Sequence, residues 1–135
     1  MDSTQYALNT LRQDITEHNL QLKATIQDIN ACTGPLQELR NLNSLGRSKI
    51  SAMRKYIDSF GDIAKESKDR ELLKEVVLQR EQLASSMDAF KKANIKAMLA
   101  LEKGAKEELL MPKDPETRLK HRQKRDKQHL VQMNS

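Results

Sequence analysis

Leu8, Ile15, Leu22 and Ile29 recur at intervals of seven, and Leu11, Thr25, Ile26 and Cys32 fill intermediate positions on the same side of a 3.6-residue period. That spacing predicts a first helix over about residues 3–32. Thr33-Gly34-Pro35 then stops it, because glycine tolerates left-handed geometry at a helix end and proline suits the first turn of a following helix. The second helix, about 35–66, carries Leu36, Leu39, Leu42 and Leu45, then Ile50, Met53, Ile57, Phe60 and Ala64 at alternating steps of three and four. Gly46 and Gly61 interrupt it at a cost of about 1 kcal/mol each relative to alanine, so they read as sites of a bend or a close helix approach.

Glu66-Ser67-Lys68-Asp69 is a polar break in which Ser67 or Asp69 can cap a third helix over about 69–110. Its expected inward stripe is Leu73, Val76, Arg80, Leu83, Met87, Phe90, Asn94, Met98 and Leu101, running on to Leu109-Leu110 before Pro112. At 1.5 Å per residue it spans about 60 Å against roughly 45 Å for the others, so its last turns are expected to overhang. Two short connections make neighbours antiparallel. The predicted fold is therefore an all-α, up-down-up three-helix bundle over residues 1–111, followed by a basic linker over 112–135 with little structure of its own.

Composition agrees with thin helical packing. Aromatic residues are 3% of the 135 and tryptophan is absent, so the core is drawn from Leu, Ile, Met, Val and Ala. The formal charge of +5 is uneven. Residues 111–135 hold seven bases (Lys113, Arg118, Lys120, Arg122, Lys124, Arg125, Lys127) against three acids (Asp114, Glu116, Asp126), which leaves residues 1–110 nearly neutral in sum. The basic character thus belongs to the tail and does not make the domain a nucleic-acid binder. Cys32, the single cysteine, has no internal disulfide partner, and the polar start Met1-Asp2-Ser3-Thr4 leads into no apolar secretory segment, so the chain is expected to be soluble and cytosolic. No apolar run is long enough to span a bilayer; membrane attachment is expected to lie outside this sequence.

No catalytic, metal or cofactor constellation emerges, and the chain is not expected to be an enzyme. Asp14 and His18 have the four-residue spacing of a metal pair but no companions in sequence, and read as a charge pair or as solvent-facing side chains. Cys32 reads as a small buried hydrophobe. Glycines 34, 46, 61 and 104 form no phosphate cradle. Met53, Met87 and Met98 fall on the apolar stripes, where core packing is the default and a methionine-rich groove the sharper alternative. The tail segment Arg118–Lys127 lacks interleaved aromatic residues for base stacking, so a solvated linker is favoured over nucleic acid.

Two blocks carry a family resemblance. Leu22-Lys23-Ala24-Thr25-Ile26-Gln27-Asp28-Ile29-Asn30-Ala31-Cys32-Thr33-Gly34-Pro35-Leu36 resembles the N-terminal region of the Sec-twenty family of Qb-SNAREs. Phe90-Lys91-Lys92-Ala93-Asn94-Ile95, continuing through Leu101-Glu102-Lys103 to Glu108-Leu109-Leu110, is similar to the end of that region in animal members. The resemblance covers about residues 15–110. It implies a protein of the cytosolic face of the endoplasmic reticulum membrane acting in Golgi-to-ER retrograde transport, whose N-terminal helices dock on a vesicle-tethering complex of the Dsl-one (animal NRZ) type. It further implies, for longer family members, a SNARE motif that zippers with other SNAREs, SNAP-type adaptors as partners, and a C-terminal membrane span. A BH-three-like segment described in animal members falls on Leu109–Asp114, where Lys113 takes the place of a glycine and Pro112 interrupts the helix.

Partner contact is expected on the third helix, with Leu101, Leu109 and Leu110 as anchors. The alternatives are a nucleic-acid-binding helical protein using Arg118–Lys127 and a homotypic coiled-coil scaffold.

Overall fold

The computed structural model describes residues 2–109, with side chains through residue 107. Three helices form, α1 (Ser3–Asn30), α2 (Leu36–Ser67) and α3 (Arg70–Leu109). The chain divides into two compact units, Met1–Leu99 and Ala100–Ser135. The bundle lies in the first; of the second, the final turns of α3 are described. The expected linker 112–135, with Arg118–Lys127 and Pro112, lies outside the described residues.

Each helix boundary has a local cause. Asp2 caps α1, its carboxylate accepting from the Thr4 N–H at 3.3 Å. α1 ends at Asn30, two residues short of the expected stop, as the N–H groups of Ala31 and Cys32 close the last turn on Gln27 and Ile29. Gly34 then takes φ 105°, a conformation open to glycine, and its peptide bond to Pro35 is cis. Between α2 and α3 the turn is shorter. Lys68 closes α2 in the left-handed region at φ 55° and Asp69 caps α3, accepting from the N–H groups of Glu71 (2.9 Å) and Leu72 (3.4 Å). Of the two caps the sequence offered, Asp69 fills the role, while Ser67 bonds back to the Ala64 carbonyl.

Contacts between helices establish the predicted topology. Leu8 of α1 joins Phe60 and Ala64 of α2 and Val76 of α3 in one core cluster, with Leu11, Ile63 and Leu72 packed against it. His18 meets Tyr56, so rising numbers on α1 face falling numbers on α2. Asp58 faces Arg80, and Arg54 faces Met87, which makes α2 and α3 antiparallel. Arg12 faces Glu75 and Asn19 faces Ser86, which makes α1 and α3 parallel. The result is the up-down-up bundle.

Leu22, Ile29, Leu39, Met53, Ile57 and Phe60 are the largest fully buried side chains, all on the stripes read from α1 and α2. Burying such a side chain contributes about 1.5–3 kcal/mol. α3 departs from its expected stripe. Its buried positions are Val76, Gln79, Leu83, Ser86, Phe90, Ala93 and Ala97, a strict heptad seam, while Leu73 and Met98 are each 39% exposed and Arg80 is exposed. The seam follows spacing and not residue size. Ser86 donates to the Asn19 side-chain carbonyl at 2.9 Å in the interior, so two polar residues satisfy one another there. Beyond Phe90, alanines fill the next two seam positions, 93 and 97.

Gly46 is a site of close approach. A Cβ on it would come within 2.7 Å of Phe90 Cζ and overlap the ring further at Cε2, so the absent side chain lets the Phe90 ring lie against the α2 backbone. Gly61 is different, since a Cβ there would rest 3.6 Å from Val76 and Arg80, at ordinary contact distance.

Candidate protein-docking surface

An open groove of about 430 Å³ lies between α2 and α3, lined by Arg47, Ile50, Ser51 and Arg54 of α2 and by Met87, Asp88, Phe90 and Lys91 of α3. The heptad places these residues. Ile50 and Phe90 point between the helices and are buried, Met87 is half-buried at the margin, and the charged residues occupy flanking positions. The groove therefore has an apolar floor of Ile50, Met87 and Phe90 beneath three cations. Asp88 is already paired, with Lys92 Nζ 2.9 Å from its Oδ2, and that carboxylate holds the Lys92 ammonium above its ordinary pKa by hydrogen bonding and charge. Among the described residues no carboxylate lies within ion-pairing distance of Arg47, Arg54 or Lys91. Arg54 reaches instead to the Met87 sulfur at 3.5 Å.

Towards the α2–α3 turn charges are paired, one pair between α1 and α3 and one between α2 and α3. Arg12 grips Glu75 with two bonds, Nε to Oε2 at 2.6 Å and Nη2 to Oε1 at 2.9 Å, while its guanidinium lies 5.3 Å from the centre of the Phe60 ring. The hydrogen bond to Glu75 raises the Arg12 pKa further, against desolvation. Arg80 pairs with Asp58 at 3.1 Å.

The residues singled out from sequence are distributed as follows. Leu101 is half-buried on α3, Leu109 is the last described residue of that helix, and Leu110 and the rest of the BH-three-like segment lie outside the described residues. Of the three methionines, Met53 is core, Met87 borders the groove and Met98 is exposed, so a single methionine lines the groove. His18 and Asp14 do not pair through their side chains: the His18 Nδ1–H donates to the Asp14 backbone carbonyl at 2.8 Å and the ring meets Tyr56 edge-on, 5.1 Å between centroids. No cluster of three metal-ligating side chains occurs among the described residues. Cys32 is half-buried in the loop after α1. Among the described residues no helix is long and apolar enough to cross a membrane.

Arg47, Arg54 and Lys91 escaped the sequence reading. One signal was present: Arg40, Arg47 and Arg54 repeat at intervals of seven, and no acid occurs between Glu38 and Asp58.

Fold and surface together define an all-α three-helix bundle carrying a methionine-bordered, cationic groove between its second and third helices. The chain is similar to vesicle transport protein SEC20 of Homo sapiens, 35% identical over 127 residues that cover 91% of this chain and 54% of that protein. It is 36% identical over 106 residues to the protein of the same name from Mus musculus, covering 76% of this chain and 46% of the relative. A shorter match, 43% over 42 residues, joins it to the Rattus norvegicus protein of that name. Along most of its length the chain is thus similar to SEC20 proteins. It spans about half the length of the first two curated relatives it matches. No family model matches it, and no solved structure matches it.

Proposed function

We propose that this chain acts in vesicle transport as the N-terminal docking region of a SNARE of the SEC20 type, and that its helices bind an ER vesicle-tethering complex of the Dsl-one/NRZ type on the Golgi-to-ER retrograde route. The observation that carries this reading is the match to the human vesicle transport protein over 91% of the chain. The fold supports it, because helical bundles bind partner helices by laying apolar side chains into grooves between their own. In this reading the protein works at the cytosolic face of the endoplasmic reticulum membrane and binds partners without performing chemistry. The names of the relatives describe transport, not catalysis. Other SNAREs and SNAP-type adaptors are partners for the longer family members. Leu101 and Leu109 of α3, and Leu110 after it in sequence, are the proposed anchors.

Size-exclusion chromatography of the 135-residue chain with a purified tether subunit tests the reading. Co-elution at tens of micromolar is expected; separate elution at that concentration overturns it. Asp at positions 109 and 110 (Leu109→Asp with Leu110→Asp) is expected to weaken the complex while the helical circular dichroism spectrum persists. Undiminished binding by that folded variant removes those two leucines from the interface.

A further inference from the structure

The near-neutral sum over residues 1–110 conceals a segregation of charge that appears only when the helices are assembled. Residues 39–57 of α2 contain Arg40, Arg47, Lys49, Arg54 and Lys55 and no acid; residues 89–99 of α3 contain Lys91, Lys92 and Lys96 and no acid. The antiparallel register, fixed by the ring of Phe90 on Gly46, sets these two stretches side by side. Arg40, Arg47 and Arg54 share one face of α2, since steps of seven return nearly to the same direction, and Arg47 and Arg54 both line the groove. On α3 the corresponding row is Met87, Lys91 and Met98, with Ile95 one turn beyond Lys91 and 52% exposed. The exposed apolar side chains at this end thus lie among cations of which, among the described residues, only Lys92 is paired.

We infer that the groove between α2 and α3 receives an acidic amphipathic helix of a protein partner, its apolar side chains seated on Ile50, Met87 and Phe90 and its carboxylates paired with Arg47, Arg54 and Lys91. This deepens the tether-docking reading and rests on it. Charge complementarity sets the sign of the occupant. Arginine forks favour carboxylates that can accept two bonds, and the carboxylate within the groove, Asp88, is already held by Lys92. The apolar floor sets its kind. Nucleic acid would meet the cations with phosphates but gain nothing from Ile50, Met87 and Phe90, and a bilayer needs apolar side chains that protrude, whereas two of these are buried between helices. Methionine adapts its shape to an incoming apolar surface. From Arg40 to Arg54 the arginine row measures about 21 Å, four turns of a bound helix. The basic tail of the chain itself has the wrong sign for this site.

Isothermal titration of the full chain with the tether subunit, at two salt concentrations, decides the matter. The double reversal Arg47→Glu/Lys91→Glu is expected to weaken binding at least tenfold and to flatten its salt dependence, because exposed charges are what salt screens. Lys23→Glu/Lys65→Glu, the same change in net charge on exposed positions outside the groove, is expected to weaken it less than threefold. The milder pair Arg47→Gln/Lys91→Gln covers the case in which the reversal disturbs folding, and a photo-crosslinking amino acid at position 51 is expected to capture the subunit. Wild-type affinity in the folded groove variants, or equal losses in groove and control pairs, overturns the inference while leaving the docking reading in place. So does a groove variant that keeps the subunit but loses co-sedimentation with phosphatidylcholine/phosphatidylserine vesicles or a shift with duplex RNA. If the unsubstituted chain does not bind the subunit, the docking reading fails first and the inference falls with it.

Discussion

Near the α2–α3 turn, Gly61 faces Val76 and Arg80 at ordinary contact distance, and the surrounding charges are matched, Arg12 on Glu75 and Arg80 on Asp58. Some fifteen residues further from the turn on each helix, Gly46 lies under the Phe90 ring, and Arg47, Arg54 and Lys91 are exposed with no carboxylate in ion-pairing distance among the described residues. Similar components, a glycine on α2, a phenylalanine and several arginines, serve opposite ends. Where charges are matched internally, the pairs tie helices to one another and contribute stability. Where they are left unmatched over an apolar floor, the fold gains little from them, and their partner has to come from another molecule.

Substitutions can test how sharp that contrast is. The largest effect is expected at the matched end. Phe60→Ala removes a fully buried ring from the cluster of Leu8, Ala64 and Val76 and should cost about 3–5 kcal/mol, read as the urea midpoint at unchanged m-value. Next come the glycines, whose signs should differ. Gly46→Ala forces the Phe90 ring to move and should cost about 1–3 kcal/mol, whereas Gly61→Ala has room for its methyl group and should gain about 0.5–1 kcal/mol from helix propensity. A thermal melt of the two alanine variants side by side reads the difference; equal shifts would contradict the geometry. The smallest effects concern the ion pairs. Arg12→Ala should cost about 1 kcal/mol, the pair being partly exposed and the guanidinium also covering Phe60, and Asp58→Ala should stay within about 0.5 kcal/mol because its pair with Arg80 is mostly in water.

Much of this architecture was legible in the linear pattern. The sevenfold recurrence from Leu8 to Ile29 and the three-four steps from Ile50 to Ala64 identified the buried faces of α1 and α2, and Gly34-Pro35 and Asp69 marked where the chain turns. α3 was harder to read. Its large apolar residues Leu73 and Met98 suggested a face rotated from the true one, because the seam accepts Gln79, Ser86, Ala93 and Ala97. Side-chain size misleads where an interior hydrogen bond or a small residue satisfies the packing. The groove was less legible still. Its walls are some forty residues apart in the chain, and only the antiparallel register brings Arg47 to Lys91. Summed charge hid what position revealed. Of the anchors expected on α3, Leu101 is half-buried, and the side chains of Leu109 and Leu110 lie outside the described residues.

The bond between Ser86 and Asn19 has a consequence for alignment. α1 and α2, and α2 and α3, are joined by short turns that limit how far one can slide along the other. α1 and α3 run parallel with a whole helix between them, so no turn holds their relative height. A one-heptad slip of α3 that set Asn19 opposite Ala93 would abandon the buried bond, a loss of about 1–3 kcal/mol for the group left unpaired, whereas the opposite slip would offer it the Gln79 amide. Together with the Arg12–Glu75 pair, this buried contact acts as an index mark. Asn19→Leu with Ser86→Ala is expected to keep the helices while broadening the distance distribution between spin labels on α1 and α3.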